Sequence, residues 1–192
     1  SCNLTNAEIG DYEIVEKNNM KVKDSFFTKS NLRQISFSKS EFNNNNFLLA
    51  TLKSIYFEDS KIDNNNFSHM KFSGRIKSSE LSNSFFSVSN IDVNFSKSKI
   101  SNVTFAESNL DGSDFGKTEL TNVNFTNSNL SKVHFTRAVT SSVSFQGATL
   151  DYANFIGSNI TNEDLSKAKS YKCAILSDGS IYNKSGQYDC AN

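Results

Sequence analysis

Residues Phe95 to Phe125 read FSKSK ISNVT FAESN LDGSD FGKTE LTNVN F. A large apolar residue opens every group: Phe95, Ile100, Phe105, Leu110, Phe115, Leu120 and Phe125. A period of five fits neither the 3.6-residue turn of an α-helix nor the alternation of a simple strand. It requires a chain that turns a corner after each group. Two residues before each large one stands something small or β-branched, as at Val93, Ser98, Val103, Ser108, Ser113, Thr118 and Val123. Such residues fit beside a wall whose large neighbours fill the axis.

The period runs on through Leu130, Phe135, Thr140, Phe145, Leu150, Phe155, Ile160 and Leu165, with Thr140 the one polar member. Backwards it appears in another register, as Val22, Phe27, Leu32, Phe37, Phe42, Phe47, Leu52, Phe57, Ile62, Phe67 and Phe72, then Leu81, Phe86 and Ile91. Two four-residue steps, one near Ile76 and one from Ile91 to Phe95, absorb the change and read as shortened sides of one continuous coil. A period of ten lies on top. Counting sides a, b, c and d from Phe27, sides a and c carry Phe almost throughout, while b and d carry Leu or Ile with Phe42, Phe72 and Thr140 as exceptions. Large and smaller groups can then interdigitate at native density.

The triplets Ala153-Asn154-Phe155, Ser128-Asn129-Leu130, Ser108-Asn109-Leu110 and Ser158-Asn159-Ile160 carry a resemblance. They are similar to the repeats of the pentapeptide-repeat family over roughly residues 20–165, and more loosely over 2–14. The resemblance implies an all-β fold, a right-handed four-sided β-helix. About eight coils at strand spacing give a rod on the order of 40 Å long. Each coil buries little alone, so stability is expected from stacked neighbours. Phe47, Phe67, Phe105, Phe125 and Phe145 are expected to form one inward ladder on side a.

A single domain is expected, divided into an N-terminal cap (1–21), the coil (22–165) and a C-terminal cap (166–192). In the first cap Cys2, Leu4, Ala7, Ile9, Tyr12 and Ile14 keep the spacing, and Val15 to Asn19 breaks it, which predicts a loop. Glu13, Glu16 and Lys17 would guard an exposed edge. At the other end Thr161-Asn162-Glu163-Asp164 predicts a capped helix start, with the helix running to about Lys169. The stretch Ala174 to Tyr182 predicts two short strands about Asp178-Gly179. This tail resembles that of exported cyanobacterial members of the family, without the Pro often found before the Asp-Gly.

Cys173 and Cys190 flank that hairpin and are the candidate disulfide; the alternative is a pair of free thiols in a cytosolic protein. A cystine implies an oxidising compartment, so export to a bacterial periplasm or exterior is the expected localisation, with the cytoplasm as alternative. Cys2 stands in a small inward slot, which predicts a buried thiol, with a lipidated mature N-terminus as the alternative. The spacing of the three is no zinc pattern.

The chain carries 20 basic and 20 acidic residues in 192, with only 36% hydrophobic residues, and Phe, at 17 copies, is the dominant large one. No basic or acidic block suggests nucleic-acid binding or mimicry of it, and no apolar run is long enough to span a membrane. No phosphate loop or metal spacing is present, so no cofactor is expected. His134 should lie one coil above Asp114 on side c, between Asn94 and Asn154, as a solvated pair without a nucleophile. His69 reads as exposed, and Glu58-Asp59 as a surface turn. Asn45 and Asn65 occupy adjacent small inward slots and should bond to each other up the coil. Thr140 should give its hydroxyl to a backbone carbonyl.

Phe26, Leu48, Leu49, Phe85 and Val88 point outward on or beside side a and form the candidate interaction surface. Together these readings describe a non-catalytic interaction or scaffold module whose partner is a protein or a second copy. The competing reading is a gyrase-protecting DNA mimic, similar to quinolone-resistance members of the family, which the neutral charge disfavours.

Overall fold

The computed structural model describes residues 2–10, 14–183, 186–187 and 189–190. It is a parallel β-solenoid of about seven turns with one short helix. The expected count of about eight coils is thus about seven. Two parallel ladders form its walls. One pairs Glu8–Ile9 and Val15–Asn18 with Asn31–Ser38, then Thr51–Glu58, Lys71–Lys77 and Asn90–Asn94. The other joins Lys21–Lys23, Glu41–Asn43, Lys61–Asp63, Glu80–Ser82, Lys99–Thr104, Glu119–Asn124 and Val139–Ser141. Single bridges continue the stacking where the corners are tighter.

The corners explain the sequence between the apolar positions. The second residue after each large one repeatedly takes a left-handed conformation, as at Asn44 (φ 56°), Asn64 (φ 51°), Asn83 (φ 48°) and Asn122 (φ 52°). Asn tolerates this region better than other non-glycine residues. Where the turn closes, the small residue donates its N–H back to the large one's carbonyl, as from Ala50 to Phe47 at 2.9 Å.

Two aromatic columns fill the axis. On side a Phe27, Phe47, Phe67, Phe86, Phe105, Phe125 and Phe145 stack at 4.5–5.6 Å between ring centroids. On side c Phe95, Phe115, Phe135 and Phe155 stack at 4.7–5.5 Å. The two columns meet edge to face along the axis, as at Phe105 and Phe115 (5.8 Å, 85°). Both geometries are favoured by the ring quadrupole.

The small inward residues are buried and mostly polar, so their hydroxyls and amides must be bonded. Ser40 donates its N–H to Ser60 Oγ (3.0 Å) and Ser60 donates to Ser79 Oγ (3.1 Å). Asn45 and Asn65 belong to such a chain. Asn45 Nδ2 donates to Asn65 Oδ1 (2.9 Å), and Asn65 Nδ2 donates to the carbonyls of Phe42 and Asp63. Their amides are consumed by the coil.

Both short steps fall at the same corner, between sides b and c, in adjacent coils. Phe72, Ser73 and Gly74 lie in register with Ile91, Asp92 and Val93, and the pairing with the coil before shifts between Lys53 and Ile55. Gly74 has φ 146°, and a Cβ there would lie closer than 3.0 Å to the Ile55 carbonyl oxygen.

Several expectations require correction. Val15–Asn18 is a strand rather than a loop, in register with Ile35–Ser38. The first coil is longer than the rest: Glu8 pairs with Asn31 but Val15 with Ile35, so the extra residues fall between Ile9 and Val15. The spacing of Ile14 therefore does not set its register, and Tyr12 lies outside the described residues. Cys2 is exposed rather than buried. The helix is shorter than expected, Asn162–Ser166, closed by a Thr161–Asp164 capping box. The hairpin reduces to one antiparallel bridge, Ile175 with Ile181. Leu165, 1% exposed, plugs this end of the axis.

Thr140 differs too. Its hydroxyl donates to the side-chain oxygen of Asn159 (3.0 Å), not to a backbone carbonyl. That same oxygen accepts the Thr140 N–H (2.7 Å), while Asn159 Nδ2 donates to the Thr140 carbonyl (2.8 Å). One amide side chain thus stands in for the next strand at the end of the second ladder. Thr140→Val removes only a partly hydrated hydroxyl, so chemical denaturation should show a change below about 1 kcal/mol. A larger loss would mean that the hydroxyl, not the Asn159 amide, holds this edge.

Candidate functional site

The outward wall of side a is built from columns of residues one coil apart. The column before the Phe ladder runs Asn3, Phe26, Asn46, Asn66, Phe85 and Thr104, each bridged to the next. Phe26 and Phe85 are each 52% exposed. Between them Asn46 and Asn66 turn their side-chain oxygens onto the N–H groups of Leu48 and Ser68 (3.0 Å each). A shallow groove lies here, lined by the two Phe rings, Asp24 and the paired Asn columns.

The remaining candidates occupy the neighbouring columns. Leu48 is half-buried, while Leu49 and Val88 are exposed at left-handed corners, φ 60° and 57°. For Val88, a β-branched residue, that conformation is an outlier and carries strain. His69 stands at the corner between them in sequence order, also left-handed (φ 55°) and exposed. The structure therefore brings all five residues to one wall but does not join them into a continuous apolar patch. Polar rungs interleave them. Column neighbours are set by coil length, which outward-facing residue types do not reveal.

The titratable candidates do not assemble into a reacting group. Asp114 and His134 are neighbours on adjacent coils. Asp114, however, accepts from Asn94 Nδ2 (3.0 Å) and the Gly116 N–H (2.7 Å). Glu58 pairs with Arg75 (2.6 Å), whose guanidinium lies 4.5 Å from the Tyr56 ring centre. Glu163 and Asp164 serve the helix start. Asp178 accepts from Ser180 Oγ and from the Ser180 N–H, which holds its carboxyl below the usual range. Among the described residues no group of three His, Cys, Asp or Glu could hold a metal ion. No described helix is long and apolar enough to cross a membrane.

Cys173 and Cys190 are joined in a disulfide that ties the tail to the cap. Above it Tyr171 and Tyr182 pack together, ring centres 4.0 Å apart.

Sequence reasoning missed a second feature, at the N-terminal end. Among the described residues, Val15, Lys17, Met20, Val22 and deeper Phe residues line a cavity at that end. The signal was present: Val15, Lys17, Met20 and Val22 stand twenty residues before Ile35, Phe37, Ser40 and Phe42.

No curated protein matches the chain. Among solved structures it is similar to HetL, a pentapeptide repeat protein involved in heterocyst differentiation regulation from the cyanobacterium Nostoc sp. strain PCC 7120, at 20% identity over 94% of this chain and 87% of that one, TM-score 0.45. It is similar also to Rfr23 of the cyanobacterium Cyanothece 51142 (16% identity, 53% and 63% covered, TM-score 0.34). A third is a pentapeptide repeat protein of the Arabidopsis thaliana thylakoid lumen (22%, 60% and 83%, TM-score 0.35). The family model of the pentapeptide repeat region matches residues 79–155. That match covers the most regular part of a coil whose stacking continues on both sides, and residues 79–155 are a pentapeptide repeat region.

Proposed function

We propose that the protein is a non-catalytic binding module that meets a protein partner, or a second copy of itself, through the side a wall of its first coils. The observation that carries this reading is the pair Phe26 and Phe85, half exposed in a column whose other rungs are three Asn and a Thr. Asn fits that slot structurally, so two aromatic rings there serve no need of the coil. Covering an exposed Phe fully contributes roughly 1.5–3 kcal/mol. The neutral formal charge supports a protein partner over mimicry of DNA. We propose also that the protein works in an oxidising compartment; the Cys173–Cys190 bond supports this.

The test replaces Phe26, Phe85 and Val88 together by Asn, the residue already present at Asn46 and Asn66. The melting temperature should stay unchanged or rise, because Asn relieves the Val88 corner. Concentration-dependent mass in solution, or retention of a partner by the immobilised chain, should be lost. A clear fall in melting temperature, or association indifferent to the replacement, would sink the wall as a contact surface.

A further inference from the structure

Two neighbouring outward columns carry charge where side c gives way to side d, and they are built differently. In the first, Lys21, Glu41, Lys61, Glu80, Lys99 and Glu119 alternate in sign from coil to coil. Lys21 meets Glu41, Lys61 meets Glu80 and Lys99 meets Glu119 at 3.5–3.8 Å. Alternation avoids the repulsion of like charges on facing strands. In the second column, at the left-handed corner, Lys97, Lys117 and Arg137 follow one another with the same sign (φ 62°, 58° and 57°). Each donates its N–H to the next coil, to the carbonyls of Gly116, Thr136 and Ile156 at 2.8–3.0 Å. Phe95, Phe115 and Phe135, two residues before them, stack at 4.7 and 5.2 Å, so the three cations leave the rod one coil apart.

The corner itself does not need this charge. Between sides d and a the same conformation is held by Asn44, Asn64, Asn83, Asn102 and Asn122, a residue type that tolerates it better. All three cations are exposed, and Ser96, Gly116 and Thr136 beside them are small, which leaves a flat strip along the ladder. The carboxylates on this side of the three coils are Asp114 and Glu119. Asp114 accepts from Asn94 Nδ2 and the Gly116 N–H, and Glu119 pairs with Lys99. The strip therefore keeps a net positive charge on a chain whose total is zero.

A row of like charges is complementary to a row of anions at the same repeat. An extended acidic peptide presents same-face carboxylates every two residues, about 6.6 Å apart. A DNA duplex carries one charge per ~1.7 Å of its axis. A linear glycan with one acid group on each sugar advances by close to one coil spacing per sugar. We propose that the ladder Lys97, Lys117 and Arg137 binds such an acidic glycan, laid along the rod with successive acid groups on successive cations. The Arg137 guanidinium can take its carboxylate through two parallel bonds. This strip lies away from the wall of Phe26 and Phe85 and does not rest on the protein-contact reading.

The test follows fluorescence anisotropy of labelled polygalacturonate with the full chain at low salt. Binding is expected, weakening as salt is added. Unlabelled polygalacturonate should compete, a neutral maltodextrin should not, and polyglutamate should compete about tenfold less well. Lys117→Glu gives this column the alternation of its neighbour, and Glu107 shows that a glutamate is held at such a corner (φ 58°). It should weaken binding about tenfold or more, with a melting temperature unchanged or raised. Lys117→Gln should give a smaller loss in the same direction. Lys29→Glu makes the same charge change at the diagonally opposite corner (φ 57°) and should leave binding as it was. No binding at low salt, equal losses from Lys117→Glu and Lys29→Glu, or polyglutamate or duplex DNA binding as tightly as the glycan overturns the proposal.

Discussion

Gly74→Ala is expected to lower stability by more than about 4 kcal/mol, enough to leave the chain unfolded or to lower its melting temperature by roughly 10 °C. Two costs combine. The backbone at Gly74 has φ 146°, which an L-residue adopts only with strain, and the added methyl would meet the Ile55 carbonyl oxygen of the coil before. That carbonyl belongs to the main chain of a stacked strand and cannot move aside without opening the ladder. Gly112→Ala separates the two costs. Gly112 also has a positive φ, 75°, but nothing lies within 4 Å of its Cβ position, so only backbone strain of about 1 kcal/mol is expected. Urea melts of the two variants decide the matter. Equal losses would mean that the shortened corner leaves more room than the geometry indicates.

Phe115→Ala should cost about 3–5 kcal/mol. The ring is fully buried, stacked on Phe95 at 4.7 Å and Phe135 at 5.2 Å, and met edge-on by Phe105 and Phe125. Neighbours held by backbone pairing on both sides cannot collapse into the space. Phe37→Ala removes the same atoms near the first coil, where the ring is only partly buried, and should cost less than half as much. Calorimetry of the two variants gives the comparison. Similar losses at both sites would contradict the difference in burial between Phe115 and Phe37.

Much of this architecture is written in local spacing. A chain that turns a corner at each fifth residue must send its middle residue inward, so the positions of Phe47, Phe67, Phe105, Phe125 and Phe145 follow from the period alone. Counting by coils also places Asp114 next to His134 and Asn45 next to Asn65, and the hydroxyl-and-acid pattern at Thr161 marks the helix start. The five outward candidates can be assigned to one wall in the same way. Whether they touch cannot, since it depends on which rungs of neighbouring coils fall between them.

The sequence by itself determined the coil, its inward residues and the nature of its cap, because each of these depends on residues a few positions apart. Only the tertiary structure decided that Val15–Asn18 is a strand, that Lys17 holds an axial place, and that Asn159 closes the edge at Thr140. Each of these rests on backbone or amide bonds between coils, set by the total length of the intervening chain. The additional residues between Ile9 and Val15 shift the first coil's register without leaving any mark in the spacing on either side. A lysine in place of Phe reads locally as a break in the pattern, and its inward role appears only once Phe37 is stacked upon it.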